Sequence, residues 1–415
     1  MVDKVLTLEN IRKGNKAGKI DWEYTNVNKD GAEYPLKVWQ NLKCVLDKHN
    51  ITVKYNEITK EEEITGMRFE GANAQLTEIV GIQTIDGLRM SKELVNDSLT
   101  RIAVENSYNP FLEMLEEHEN DNPELIKKVF DCIKINPEYI KNYDYYSSIF
   151  LKWIISVVHM ANNSLDKNYN SHGILVLQGG QGCFKSTFAR KLMPEAKWFK
   201  GDKSLDPNST DSISQNTKYI LVEWGELDST LKGEQAKLKQ FITSTSDEYR
   251  KPYQSKSEKY PRITSYIGTV NKKDFLKDET GSRRFWIIPV DKCDIAALDE
   301  IDMKEFWGAV YHLYKQDTIK PYLESEELAV LAELNSEFNY QTDISIVLDE
   351  RLDWSMSEDF WTVYNISEIS ELLYIKEKKA LKLELEKRGI EYKSYRVKDR
   401  TKKGFRIPTI DKYNI

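Results

Sequence analysis

Cysteine is scarce. The 415 residues hold four, Cys44, Cys132, Cys183 and Cys293, far apart and without a CxxC pair. That spacing argues against a disulfide framework and against a zinc site. The five histidines, His49, His118, His159, His172 and His312, form no HxxxH, so each reads as a core or surface residue. Net positive charge is also missing: 60 Lys/Arg stand against 67 Asp/Glu, a balance of −7. No global field draws the chain to nucleic acid or anionic lipid, and any such binding must come from a local patch. Long apolar runs are lacking. The most apolar helical stretch, 149–161, is too short to span a bilayer and is interrupted by Lys152, Ser156 and His159. The first residues, MVDKVLTLENIRKG, contain no apolar core of a signal peptide. No internal repeat or low-complexity tract occurs. A cytosolic protein with reduced thiols and no membrane partner is expected.

What is present is an ordinary globular balance, 40% hydrophobic and 31% charged. The length suits two to three domains at roughly 150 residues each. Residues 1–120 mix strand-like runs (Ile51-Thr-Val-Lys-Tyr55) with a helical face over 91–104 (Leu94, Val95, Leu99, Ile102, Ala103), and read as an α+β domain. An acidic, polar stretch at 116–123 marks a boundary. Over 121–345, helices lead into short apolar strands, at 174–177, 219–222, 263–270 and 285–290, that alternate with helical patterns. That is the signature of a parallel sheet with covered faces. Residues 346–415 form a third, basic section.

The strongest local signal is Gly179-Gly-Gln-Gly-Cys-Phe-Lys-Ser-Thr187, which follows one strand and precedes a helical run. This is the context of a Walker A phosphate loop. Glycines let backbone N–H groups close on phosphate oxygens, and a helix start adds a positive dipole end. The loop residues Gly179, Gly180, Gln181, Gly182, Cys183, Phe184, Lys185, Ser186 and Thr187 are the candidate ATP contacts. Lys185 reaches the β- and γ-phosphates in this reading, and Ser186 places its hydroxyl on Mg²⁺. The usual pattern, GxxxxGK[ST], has glycine where Phe184 stands.

A second strand ends in acids, Tyr219-Ile-Leu-Val-Glu-Trp-Gly-Glu226. Strand C-termini are where α/β sheets bind ligands, so Glu223 fits the Mg²⁺ role and Glu226 the polarisation of the attacking water. Trp224 and Gly225 separate the two, which leaves their roles open to exchange. Asn271 ends another strand, Gly268-Thr-Val-Asn271, where an amide can contact the γ-phosphate or the water; a turn asparagine is the other reading. Arg283 and Arg284 precede the next strand. They suit either a phosphate on a neighbouring subunit or ordinary surface ion pairs.

Two basic segments follow different patterns. Residues 247–262 interleave Arg250, Lys251, Lys256 and Lys259 with Tyr249, Tyr253 and Tyr260. Cations bind phosphates and aromatics stack bases, and a solvated loop is the equal alternative. From 376 to 415 there are 14 Lys/Arg and 6 Asp/Glu, a local balance of +8 in an acidic chain. Helical patterns at 365–374 and 377–388, with Gly389 as stop signal, precede a basic hairpin over 392–407. Helix, helix and hairpin suggest a winged helix. Lys378, Lys379, Lys382, Arg400, Lys402 and Lys403 are its candidate DNA contacts.

Together, GGQGCFKSTF, ILVEWGELD, LKQFITSTSDEYRKPY and TVNKKDFLKDETGSRRFW resemble the virulence-associated protein E family, superfamily 3-like helicases of phages and bacterial mobile islands. The close match covers about a quarter of the chain. A looser one reaches back to about Asn41 and takes in Tyr55-Asn-Glu57. The resemblance implies an α/β protein with a P-loop AAA+-type ATPase core, an N-terminal α+β domain and a C-terminal winged-helix domain. It also implies a homo-oligomeric ring, a hexamer, in the cytoplasm of a bacterial host. ATP and Mg²⁺ sit between subunits, Arg283 or Arg284 reaches the neighbour's site, and single-stranded DNA is drawn through the pore past residues 247–262. Double-stranded DNA is the expected partner of the tail. The leading expectation is an ATP-dependent DNA helicase for replication of a phage or mobile island. An ATP-assembled DNA-binding initiator or regulator without unwinding activity is the alternative. A small-molecule phosphotransferase is a third reading.

Overall fold

The computed structural model describes residues 20–202, 209–225, 240–250, 257–276, 279–339, 343–397 and 400–408. The chain divides into two compact units. One comprises Met1–Lys272 and Thr280–Ala332, the other Lys273–Glu279 and Glu333–Ile415. The expected border at 345/346 lies inside the second unit, and that at 120/121 inside the first.

The first unit begins with a small α+β assembly. Strands β1 (Thr25–Val27) and β2 (Glu33–Pro35) form a ribbon. Strands β3 (Thr52–Asn56), β4 (Glu61–Thr65) and β5 (Ser107–Tyr108) form a three-stranded sheet in the order β4-β3-β5. Helices α1 (Trp39–Lys48), α2 (Ala72–Ile85) and α3 (Lys92–Glu105) cover it. Ser91 caps α3, accepting from the backbone N–H of Leu94. Of the face expected on this helix, Val95, Leu99, Ile102 and Ala103 are buried in a core with Leu42, Val45 and Ile79, whereas Leu94 is exposed.

Helices α4 (Pro110–Glu117), α5 (Pro123–Asp131) and α6 (Tyr143–Ala161) follow, with β6 (Ile133–Ile135) between the last two. Helix α6 contains the apolar 149–161 stretch. It is nearly all buried and packs on the central sheet, where Trp153 donates from Nε1 to the Tyr266 carbonyl at 3.3 Å. No helix among the described residues is long and apolar enough to cross a membrane.

The central sheet has six strands: β6, then β13 (Phe285–Cys293), β7 (Ile174–Gln178), β12 (Ser265–Val270), β9 (Leu221–Gly225) and β8 (Phe199–Asp202). Five run parallel and β6 closes one edge antiparallel. The parallel sheet is the one the apolar runs predicted, while its strand order was not legible from them. Ile174 to Leu177 are fully buried, and burying each such side chain contributes about 1.5–3 kcal/mol. The acidic strand starts later than expected, at Leu221 rather than Tyr219. Strand β8 was not legible, since Phe-Lys-Gly-Asp is neither apolar nor cleanly alternating. Helices α7 (Lys185–Lys191) and α8 (Thr210–Asn216) connect these strands. A hairpin of β10 (Ser246–Tyr249) and β11 (Glu258–Pro261) precedes β12. After β13 come α9 (Ile295–Asp299), α10 (Met303–Gln316) and α11 (Ser325–Ser336).

The second unit runs α12 (Asp343–Arg351), β14 (Trp361–Tyr364), α13 (Ile366–Leu372), α14 (Lys378–Lys387), β15 (Lys393–Val397) and β16 (Arg400–Pro408). Its antiparallel sheet has the order β14-β16-β15. Asn365 and Glu368 form a reciprocal capping box at the start of α13. Gly389 ends α14 with φ +77°. Leu348, Ile369, Leu381, Leu385, Phe405 and Ile407 form the core. Ala380, next to the buried Leu381, is exposed because α14 buries only a narrow stripe.

Candidate functional site

Three neighbouring parallel strands bring the candidate side chains to one edge. Strand β7 ends at Gln178 and the glycine loop opens after it. Strand β12, hydrogen-bonded to β7 on one side and β9 on the other, delivers Thr269 and Asn271. Strand β9 delivers Glu223. These are the C-terminal ends of the strands, where parallel sheets leave room for ligands.

The loop is held by backbone contacts. Gly179 donates to the Val270 carbonyl at 3.1 Å, and Cys293 donates to the Cys183 carbonyl at 2.9 Å. A Cβ on Gly179 would lie 2.2 Å from the Val290 carbonyl oxygen, so only glycine permits this approach to β13. Gly182 has φ +85° and Phe184 has φ +60° with ψ +22°. Phe184 therefore adopts the left-handed conformation that the glycine of the usual pattern would supply. Its ring is half-exposed at the mouth of the cavity.

Lys185 is 6% exposed. Its ammonium donates to the carbonyls of Gly179 (2.8 Å) and Gly180 (2.7 Å) and to Oδ1 of Asn271 (3.1 Å). Burial pushes its pKa down, opposed by the Cys183 and Cys293 thiols and the Glu223 carboxylate. Glu223 is 7% exposed, and its Oε1 accepts from the Thr269 hydroxyl at 2.9 Å. A cavity of about 460 Å³ joins these groups, lined by 181–187, Gly201, Glu223, Gly225, Thr269 and Asn271. Its size suits a small-molecule site. Ser186 is exposed to it and Thr187 partly so. Sequence reading missed Thr269 and Gly201. Thr269 had a usable signal, because it lies two residues before Asn271 on one strand and so shares its face.

Arg283 and Arg284 sit elsewhere. They precede β13, whose Phe285 pairs with Ile174 at the start of β7. They therefore lie at the opposite edge of the sheet from the loop, about 16 Å away at the usual rise per residue. They line a second cavity, of about 300 Å³, with Asn170, His172, Thr243 and Tyr322. Arg284 Nε is buried there without a hydrogen-bond partner among the described residues. Burial and the neighbouring Arg283 both lower the Arg284 pKa.

In the hairpin, Arg250 and Lys259 are exposed. Tyr249 and Tyr260 are not, which corrects the expectation that these two stack bases. Tyr249 is 3% and Tyr260 8% exposed, and they stack on each other with ring centroids 4.7 Å apart. At the start of the hairpin the Arg262 guanidinium pairs with Asp247, both buried. Glu226, Lys251, Lys256 and Tyr253 lie outside the described residues.

In the second unit, Lys378, Lys379 and Lys382 are exposed along α14, and Arg400 and Lys403 along the hairpin. Lys402 is engaged: its ammonium lies 2.9 Å from Glu368.

A model of the virulence-associated protein E-like domain matches residues 115–340. The chain belongs to this family. The virulence-associated protein E-like domain spans helices α5 to α11, the whole central sheet and both cavities. It leaves out β1 to β5 and the strands of the second unit, and Tyr55-Asn-Glu57 falls outside it. No curated protein matches the chain. Among solved structures, two apo structures of the C-terminal region of NrS-1 are similar at 13% and 12% identity. They cover 89% and 90% of this chain and 98% and 100% of those chains, with TM-scores of 0.47 and 0.46.

Proposed function

We propose that this virulence-associated protein E-like chain is an ATP-driven DNA helicase serving replication of a phage or mobile genetic element. The observation that carries the reading is the convergence of Lys185, Asn271, Thr269 and Glu223 on one cavity at the strand ends, with Lys185 held by loop carbonyls. Those carbonyls are neutral partners. The charged oxygens of a β- or γ-phosphate are stronger acceptors for the same ammonium. The fit to ATP rests on this buried cation, the glycine-permitted approach of the loop and the space available. Ser186 and Glu223 would hold Mg²⁺, which supplies charge neutralisation across the phosphates when bound. Thr269 fixes the Glu223 carboxylate, and Asn271 would orient the attacking water. Hydrolysis transfers the γ-phosphoryl group to that water, giving ADP and phosphate.

Arg283 and Arg284 cannot serve the site of their own chain from the far edge of the sheet. Arg284 lines a cavity, and its Nε has no partner among the described residues; it instead suits a phosphate held by a second copy, which supports a closed ring of subunits with shared sites, a hexamer in this reading. Arg250 and Lys259 mark the hairpin as the single-stranded DNA contact, by phosphate charge rather than by tyrosine stacking. The order α12-β14-α13-α14-β15-β16 supports a winged helix, with α14 as its groove-reading helix and β15–β16 as its wing.

The test is ATP turnover with and without DNA, together with unwinding of a forked duplex. DNA-stimulated turnover with unwinding is expected. Stimulated turnover that never unwinds the fork rejects the helicase and leaves the ATP-assembled initiator. DNA-independent phosphate transfer to a small acceptor rejects both.

A further inference from the structure

The Tyr55-Asn-Glu57 stretch builds an unusual turn. Asn56 ends β3, and its Oδ1 accepts from the backbone N–H of Ile58 (2.9 Å) and Thr59 (3.3 Å), while its Nδ2 donates to Glu63 at 2.7 Å. The Asn56 carbonyl accepts from the Lys60 N–H at 2.8 Å. This closes the β3–β4 turn with Lys60 in the left-handed region, φ +59°, a conformation that a lysine adopts only under local constraint. The constraint has a result: the Lys60 side chain leaves its own sheet and is buried, 4% exposed.

Its ammonium ends against the tyrosines of the β10–β11 hairpin. It donates to the Thr217 carbonyl at 2.6 Å. It also lies 5.9 Å from the Tyr249 ring centroid and 5.6 Å from that of Tyr260, within cation–π range of both. Thr217 is fully buried and joins α8 to the segment that enters β9, the strand of Glu223. One charge therefore meets three elements: the N-terminal sheet, the hairpin and the lead-in to the acidic strand. An ammonium is costly to bury, and a methionine of similar length would pack without that cost. What the ammonium adds is a fixed direction, toward one carbonyl and two ring faces.

We propose that Lys60 is a positioning residue through which the N-terminal domain sets the hairpin against the β9 lead-in, so that DNA bound at Arg250 and Lys259 raises turnover at the Glu223 edge. The proposal rests on the DNA-facing reading of the hairpin given above. It assigns the N-terminal domain a task in coupling rather than in chemistry.

The experiment compares the full-length wild type with Lys60→Met, Lys60→Arg and the double variant Arg250→Ala/Lys259→Ala. The measurements are DNA-free turnover, DNA-stimulated turnover, and amide hydrogen exchange of 246–250 and 257–261. Lys60→Met is expected to keep its DNA-free turnover, to exchange faster in both hairpin segments and to lose about tenfold in DNA stimulation, an ordinary coupling between sites. Lys60→Arg, which keeps a charged donor, is expected to restore much of the stimulation. A purely structural lysine would lower both turnovers together. Unchanged stimulation in Lys60→Met beside a loss in the double variant overturns the proposal and leaves the hairpin reading standing. Unchanged stimulation in both overturns the hairpin reading and the proposal with it. If Lys60→Met fails to fold, Lys60→Arg decides: wild-type exchange and stimulation support the proposal, and wild-type exchange with lost stimulation overturns it.

Discussion

At position 184 the sequence departs from the phosphate-loop pattern, and the backbone explains how the departure is tolerated. The loop needs one residue with positive φ before Lys185, and phenylalanine adopts it at +60°. For a residue with a Cβ this costs about 1–2 kcal/mol. With the ring half-exposed, little burial offsets that cost. Phe184→Gly is therefore expected to be more stable than Phe184→Ala by about 1 kcal/mol, the reverse of their order in a helix. Urea unfolding of the two variants checks this, and a more stable alanine variant would contradict it. That the lysine, serine and glutamate line one cavity was legible, because their positions follow from strand–loop–helix context. The left-handed backbone at 184 was not, because a residue type that avoids a conformation gives no sign of adopting it.

Among the elements, the parallel strands were the most legible. Strands covered on both faces must be apolar throughout, so Ile174–Leu177 and Phe285–Val290 announce themselves. The position of Arg283 and Arg284 was legible for the same reason: residues just before a parallel strand lie at the edge opposite to loops that follow one. The hairpin was half-legible. Alternating cations and tyrosines look like a nucleic-acid surface, but Lys60, which covers the tyrosines, is almost 190 residues away in sequence from Tyr249, and no local pattern shows such a partner. The hairpin also stands on the Asp247–Arg262 pair, with side chains 5% and 2% exposed. Removing one partner of a buried pair strands the other charge, at about 3–5 kcal/mol. Asp247→Asn is expected to lower the stability of the first unit by that order, read from the urea midpoint. A change below about 1 kcal/mol would show that Arg262 finds equivalent partners.

For the molecule as a whole, charge is divided between parts. The net balance is −7, yet the tail from 376 carries +8, and three of its lysines line the exposed side of α14. Replacing Lys378, Lys379 and Lys382 with alanine is expected to weaken duplex DNA binding and to reduce the slope of log affinity against log salt by about 0.9 for each phosphate that is no longer neutralised. DNA-free ATP turnover should stay at the wild-type level, and an unchanged salt slope would remove α14 from the DNA interface. The most direct test of the whole account is equilibrium titration of Mg²⁺–ATP against the wild type and Lys185→Ala. The account predicts saturable binding by the wild type. In the variant, binding should be weaker by about tenfold or more, the worth of a charge-assisted hydrogen bond, with the same unfolding midpoint. Equal affinity in the two proteins, or no binding by the wild type, would contradict it.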